Sequence, residues 1–321
     1  MTPLRLAVIG VGHLGRHHAR LAAAMPGVAF VAAVDLQADR ARAAVAGTDA
    51  RALTDAVDLI GSVDAVVVAV PTVDHVAVAR PFLEAGVHVL VEKPMASTLA
   101  DADALVALAA RSKATLAVGH TERFNPAVQA ALPILQTPRF IEVHRLSGFP
   151  ERSLDIDVVF DVMIHDLDVL LAVDRTEVVS VDAIGVPVLT PSVDIANARL
   201  KFASGCIANV TASRISKEPI RKVRFFQPDM YVSVDYAAQE LEAWRLRHRP
   251  GDRPAIEGGP VPVERDEPLR RELADFVDAI QAGRPPLVTG AEGRRALALA
   301  TRVAEAILGS TTPIAVVEPR D

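Results

Sequence analysis

The feature that most restricts what this chain can fold into is an alternation. Between residues 4 and 120, short and nearly continuous apolar runs take turns with longer alanine-rich runs. The apolar runs are "LRLAVIG", "AFVAAVD", "DAVVVAV", "VHVLVE" and "ATLAVGH"; a helical stretch such as "LADADALVALAARS" at 99–112 lies between two of them. Strands with apolar residues on both faces must be covered on both sides, so the pattern implies a parallel sheet flanked by helices. A right-handed, doubly wound α/β sheet is the expected topology.

After about residue 140 the pattern changes. "RFIEVHRLSG", "VVSVDAIGVPVL", "IANARLKFA", "CIANVTAS", "RKVRFFQ" and "YVSVDY" follow one another across short turns, the signature of a mostly antiparallel sheet. One helix is expected at 161–172. Two more close the chain, with Leu269, Leu273, Phe276, Val277 and Ile280 at helical spacing, then Leu297, Ala300, Ala304 and Ile307. "QAGRPPLVTG" connects them. The expectation is two domains, α/β over 1–121 and an open-sheet α+β domain over 122–321.

Composition removes several classes of function. Half of the 321 residues are apolar, enough for a sizeable core, and 34 Lys and Arg against 40 Asp and Glu leave a net charge of −6. Such a balance offers no global attraction to nucleic acid or anionic membranes. Cys206 is the single cysteine, which excludes an intramolecular disulfide and argues against cysteine-ligated zinc. No apolar run reaches the ~18 residues of a spanning helix, and no signal-peptide pattern opens the chain. A reducing cytoplasm is the expected compartment.

"AVIGVGHLGRHHA" places Gly10, Gly12 and Gly15 in G-x-G-x-x-G spacing between a strand and a helix, with His13 and Leu14 inside the turn. The first glycine permits the tight turn, the second lets backbone approach a pyrophosphate, and the third allows helix and strand to pack closely. Asp35 ends the second strand, 20 residues after Gly15, where a carboxylate would accept hydrogen bonds from a ribose. It would also repel a 2′-phosphate, and Leu36 stands where an arginine could have clamped one. NAD is therefore expected over NADP, although Arg40 lies near in sequence.

Ligands of open α/β sheets gather beyond the carboxyl ends of the strands. "VHVLVEKPMA" delivers Glu92 and Lys93 to such an end; their bland alternative is a surface ion pair. "PTVDHV" does the same for Pro71, Thr72 and His75, the last of which could equally be a helix-surface histidine. In "FDVMIHDLDVLL", Asp161, His165 and Asp168 fall at i, i+4 and i+7 of a helix. Three readings compete: a catalytic histidine oriented by Asp161, a metal site poor in further ligands, or a satisfied buried His–Asp pair. No metal is expected.

Gly10-x-Gly12-x-x-Gly15, Asp35, the Glu92-Lys93-Pro94 triplet and Asp161-x-x-x-His165 together resemble the Gfo/Idh/MocA family of oxidoreductases, in order and distance over essentially the whole chain. The resemblance implies a Rossmann domain followed by an open β-sheet domain, a tightly bound nicotinamide cofactor, and oxidation or reduction of sugars, cyclitols and related carbinols. It implies that Lys93 contacts the substrate hydroxyl and the nicotinamide ribose. His165, beside Asp161, would accept the hydroxyl proton as hydride passes to nicotinamide. Lys93 would stabilise alkoxide character and lower the pKa of a neighbouring histidine, against the opposite effect of Asp161. The sequence departs from the family where many members carry a glycine-rich run: here "SLDIDVVFD" brings Asp155 and Asp157, which leaves that loop's substrate contacts in doubt.

"VGHTERFNPAV" at 118–128 and "SRISKEPIRKVRFF" at 213–226 resemble a branch of the family that oxidises position 3 of UDP-N-acetylglucosamine. Its product goes to a partner aminotransferase in lipid A biosynthesis. Arg214, Lys217, Arg221, Lys222 and Arg224 bring five positive charges into eleven residues, a candidate diphosphate site. A solvated or subunit-facing surface is the competing account. His120 and Arg123, at the junction of the two expected domains, are further substrate-contact candidates. A cyclitol or free-sugar dehydrogenase, an NAD-dependent glycosidase and a non-catalytic dinucleotide sensor remain as alternatives; retention of Lys93, Asp161 and His165 speaks against the last. An open sheet face would pair in a homodimer or homotetramer.

Overall fold

The structure, a computed structural model, describes residues 2–149, 156–247 and 254–310. Along the chain run β1 (Leu4–Ile9), α1 (Gly15–Ala24), β2 (Val28–Val34), α2 (Ala38–Ala44), β3 (Arg51–Leu53) and β4 (Ala65–Val68). Next come α3 (His75–Glu84), β5 (His88–Glu92), α4 (Leu99–Ser112) and β6 (Leu116–Gly119). These strands form one parallel sheet in the order β3-β2-β1-β4-β5-β6, the doubly wound arrangement expected. The five apolar runs became strands because each buries both faces: Leu6, Val8, Val67 and Leu90 are 0–1 % exposed. The sixth strand, β3, was not foreseen; its three residues are exposed or half-exposed and carry no apolar run.

The chain continues with α5 (Pro126–Ala131), β7 (Phe140–Leu146), a π-helical turn at Val159–Met163 and α6 (Ile164–Val173). Then follow β8 (Val178–Val186), β9 (Ile195–Phe202), β10 (Ile207–Ser213), β11 (Ile220–Gln227), β12 (Met230–Asp235), β13 (Glu240–Arg247) and β14 (Ala255–Val261). The helices α7 (Pro268–Ala282) and α8 (Gly290–Ser310) close the described chain. The eight strands lie in the order β14-β13-β12-β11-β7-β10-β9-β8, antiparallel except for β7 beside β10. In β9 burial alternates residue by residue, so one face is dry and the other open. On the dry side, Val128 and Ala131 of α5 and Val169 and Val173 of α6 converge with Val223, Phe225 and Val234 of the sheet. On the open side the rings of Phe140, Phe226 and Tyr231 touch in sequence, with centroids 5.6 and 5.3 Å apart.

The chain divides into two compact units, Met1–Pro126 with Glu264–Leu297, and Ala127–Val263 with Ala298–Asp321. A single boundary at 121/122 therefore misses the return of α7 to the first unit. That return has a packing reason: Leu269, Leu273, Phe276 and Val277 of α7 join the core made by Leu6, Val8 and Val67 with Ala19 and Ala22 of α1. Among the described residues no helix is long and apolar enough to cross a membrane.

Candidate active site

The glycines after β1 have separate tasks. Gly10 adopts φ +82°, and a Cβ there would come within 2.7 Å of the Ala69 backbone. A Cβ on Gly15 would sit 1.7 Å from Gly10 O. Both are thus required by internal packing, whereas nothing lies within 4 Å of a Cβ on Gly12. That open space beside backbone, followed by an α1 first turn that no side chain caps, fits a pyrophosphate. His13 is exposed on the turn, edge-on to His17 with ring centroids 6.1 Å apart, and Leu14 is half-buried at the helix start.

Asp35 ties the end of β2 to this turn. Its Oδ2 accepts from Val11 N–H at 3.1 Å and its Oδ1 from Gln37 N–H at 2.9 Å. Leu36, 93 % exposed, offers no charge beside it, and Arg40 is exposed on α2. The turn, the helix terminus and the carboxylate together fit NAD.

Lys93 follows β5, half-buried, and its N–H donates to Glu92 Oε2 at 3.3 Å. Glu92 is buried; its Oε1 lies 2.8 Å from His18 Nε2 on α1, and Glu272 of α7 reaches the same group. Ligand-type atoms of these three residues all lie within 4.8 Å of one another. His18 and Glu272 were missed in the sequence. The available signal was His18's place on the apolar face of α1, with Ala19, Leu21 and Ala22. Thr72 is half-buried in a short 3-10 turn after exposed Pro71. His75, a candidate for cofactor contact, is 1 % exposed: its Nδ1 lies 2.9 Å from Pro94 O and its Nε2 2.9 Å from Val70 O. It braces the segment that carries Lys93. Burial pushes its pKa down, against the pull of the two carbonyls.

His120 is fully buried after β6, and burial, reinforced by the charges of Lys93 and Arg123, pushes its pKa down to about 3. A pKa lowered in this direction favours the neutral imidazole over the charged one. Arg123 is buried too, with Nη2 at 3.5 Å from both Leu287 O and Glu292 Oε1, so it clamps the start of α8.

In the second unit, Asp161 lies on the π-helical turn and His165 in the first turn of α6, both half-buried. The turn is closed by Ile164 N–H donating to Val159 O, an i→i+5 bond, so the expected uninterrupted α-helix does not run through Asp161. Single π turns of this kind recur at functional sites. Asp168, expected on the same polar stripe, is buried at 1 % exposure. The helix also carries an ion pair not expected from the sequence: Arg145 Nε and Nη2 donate to Asp166 Oδ2 and Oδ1 at 2.6 and 2.9 Å. The alternation Ile141, Val143, Arg145 on β7, which puts Arg145 on the dry face, was the available signal. Asp157 accepts Val159 N–H on Oδ1 at 2.8 Å, and burial raises its pKa. Asp155 lies outside the described residues.

The basic run is divided: Lys217 and Arg221 are exposed, while the other three cations have partners within the protein. Lys222 pairs with Asp235 at 3.3 Å and Arg224 with Glu142 at 2.8 Å, each across the open face of the sheet. Arg214, expected to touch substrate, is 1 % exposed and consumed by internal partners.

Residues 4–120 match the Gfo/Idh/MocA family, described as oxidoreductases with an NAD-binding Rossmann fold. The chain is 41 % identical over 313 residues to a UDP-N-acetylglucosamine 3-dehydrogenase of Acidithiobacillus ferrooxidans, covering 96 % of this chain and 98 % of that one. The solved structure of UDP-N-acetylglucosamine 3-dehydrogenase GnnA from that organism superposes with a TM-score of 0.89 at 40 % identity, over 96 % and 99 % of the two chains. Inositol 2-dehydrogenase 3 of Saccharopolyspora erythraea is 34 % identical over 191 residues, 56 % of each chain.

Proposed function

Because the chain belongs to the Gfo/Idh/MocA oxidoreductases, enzymes built on an NAD-binding Rossmann fold, we propose that it oxidises carbon 3 of UDP-N-acetylglucosamine. The end-to-end likeness to the A. ferrooxidans dehydrogenase carries this reading. In it, the first unit holds NAD through Gly10, Gly12, Gly15 and Asp35, and the second unit supplies the sugar site. NAD, when bound, supplies the acceptor for the hydride that leaves the carbinol carbon. The chain's own residues handle the proton and the charge. His165 takes the hydroxyl proton, Asp161 orients the ring and stabilises its protonated form, and Lys93 stabilises the oxygen as alkoxide character develops. His120, its pKa lowered by burial and by the charge of Lys93, is assigned no proton in this scheme. The 3-keto product goes to a partner aminotransferase on the way to a lipid A amino sugar. The enzyme works in the cytoplasm as a homodimer or homotetramer.

One observation favours a second reading. With Lys222 and Arg224 matched to carboxylates and Arg214 buried, only Lys217 and Arg221 of the basic run are left to argue for a diphosphate, and a cyclitol would need none. The test is NADH formation with UDP-N-acetylglucosamine, UDP-glucose, free N-acetylglucosamine and myo-inositol, each with NAD and NADP, and with a trap for the ketone. Turnover confined to UDP-N-acetylglucosamine supports the proposal. Turnover of inositol or the free sugar keeps the dehydrogenase and overturns the substrate.

A further inference from the structure

Arg214 is among the largest fully buried side chains in the molecule. A guanidinium in such a place must have its donors matched, and the matches form a bolt. Nε donates to Asp194 Oδ1 at 2.9 Å, Nη2 to Thr190 Oγ1 at 3.0 Å, and Nη1 to the backbone carbonyl of Ile156 at 2.6 Å. Asp194, itself fully buried, organises the β8–β9 loop. Its Oδ2 accepts the N–H groups of Val188, Leu189 and Thr190 at 2.8, 2.6 and 2.9 Å, and its Oδ1 accepts the Thr190 hydroxyl at 2.7 Å. The loop is therefore organised around one carboxylate, and Arg214 is the piece that links it outward.

Ile156 is where that piece arrives. Its neighbour Asp157 accepts Phe160 N–H and Asp161 N–H on its backbone carbonyl at 3.1 and 3.0 Å, and Val159 N–H on its side chain. Val158 N–H donates to Val193 O at 3.1 Å, a second tie between the same loop and the same segment. Hydrogen bonds joined through the Ile156–Asp157 peptide link thus run from a buried ion pair to the backbone of Asp161. They end on a π-helical turn, a rare geometry that occurs mostly as a single turn within a helix.

We propose that Arg214, seated on Asp194, is a positioning residue that sets the π-helical turn and with it the placement of Asp161 and His165. The inference rests on the roles proposed above for those two residues. Lysine at 214 keeps the charge opposite Asp194 but cannot span Asp194, Thr190 and Ile156 at once, because an ammonium is a point donor and a guanidinium is a fork.

The test is Arg214→Lys beside His165→Ala, using the sugar that the wild type turns over. Arg214→Lys is expected to melt cooperatively and bind NAD as the wild type does, with KM for the sugar within about threefold and kcat lower by about ten- to a hundredfold. Its primary deuterium isotope effect on kcat should rise, because hydride transfer from a misplaced hydroxyl becomes limiting. A merely structural role would lower the melting temperature and leave kcat and the isotope effect of the folded protein unchanged. That result, with His165→Ala inactive, overturns the positioning role alone. A fully active His165→Ala overturns the assignment of the base, and the positioning inference with it. Should Arg214→Lys fail to fold, Thr190→Val removes one prong while keeping the ion pair; an unchanged kcat there overturns the inference equally.

Discussion

Lys93 is the residue whose role is most open to direct challenge. Its backbone N–H is held by the Glu92 carboxylate, and the following carbonyl, Pro94 O, is held by His75. The turn is therefore fixed by groups other than the ammonium. Lys93→Met is expected to leave NAD affinity nearly unchanged in calorimetric titration while turnover, read as NADH absorbance, falls at least about a hundredfold. Near-normal turnover would remove Lys93 from the mechanism. Asp35 differs, because its carboxylate serves the fold and the cofactor together. Asp35→Asn keeps one oxygen for the backbone and removes the charge, so the preference for NAD over NADP should narrow about tenfold. An unchanged ratio of the two affinities would refute the ribose assignment. At this scale the sequence was informative where a residue follows a strand end, as Lys93 does. It misled where side-chain direction decides: Arg214 belongs to a cationic run in the sequence and to a dry ion pair in space, and nothing local distinguishes the two. The surroundings of His75 are hidden for the same reason, since the carbonyls beside its ring come from residues 70 and 94.

Among elements, the turn between β1 and α1 separates packing from binding within six residues. Gly12→Ala meets open space, so its thermal midpoint should match the wild type while NAD affinity drops, because the new methyl stands where pyrophosphate approaches. Gly15→Ala drives a methyl into Gly10 O and should lower the midpoint itself. Scanning calorimetry with and without NAD separates the two, and equal behaviour of both variants would contradict this division of labour. The six-residue spacing that reveals the turn is legible because glycine alone tolerates those approaches. Other elements were silent. The strand β13 is mostly exposed, and β14 contains Gly258, Gly259 and Pro260, which read as breakers. Gly258 is required there because a Cβ would lie 2.1 Å from Ala243 O of the neighbouring strand, a contact made only after pairing. The π-helical turn was equally hidden, since one inserted hydrogen-bond register leaves no mark in an apolar pattern. The helix α7 was read as a helix from its periodicity, but which unit it packs on depends on partners far away in the chain.

For the molecule as a whole, three buried or half-buried histidines of the first unit share one thermodynamic consequence. Burial lowers the pKa of His75, His88 and His120, and takes His120 down to about 3. The unfolded chain, with ordinary histidines, then binds more protons than the folded one between pH 6.5 and about 3. Stability rises with pH wherever that holds, so the contribution is complete above pH 6.5 and is lost progressively as pH falls. For His120 the expected loss between pH 7.5 and 5.5 is about 1.4 kcal/mol, set by protonation of the unfolded form. Asp64, Asp103 and Asp266, whose pKa values are lowered by arginine partners, stay ionised in both states across that window. Asp157 acts with the opposite sign, because a raised carboxyl pKa favours the folded state on acidification. Comparing wild type with His120→Asn cancels that term. Urea midpoints at pH 7.5 and 5.5 should therefore move closer together in His120→Asn than in the wild type, by about the His120 share. If both proteins lose the same stability between the two pH values, His120 is not held neutral in the folded protein.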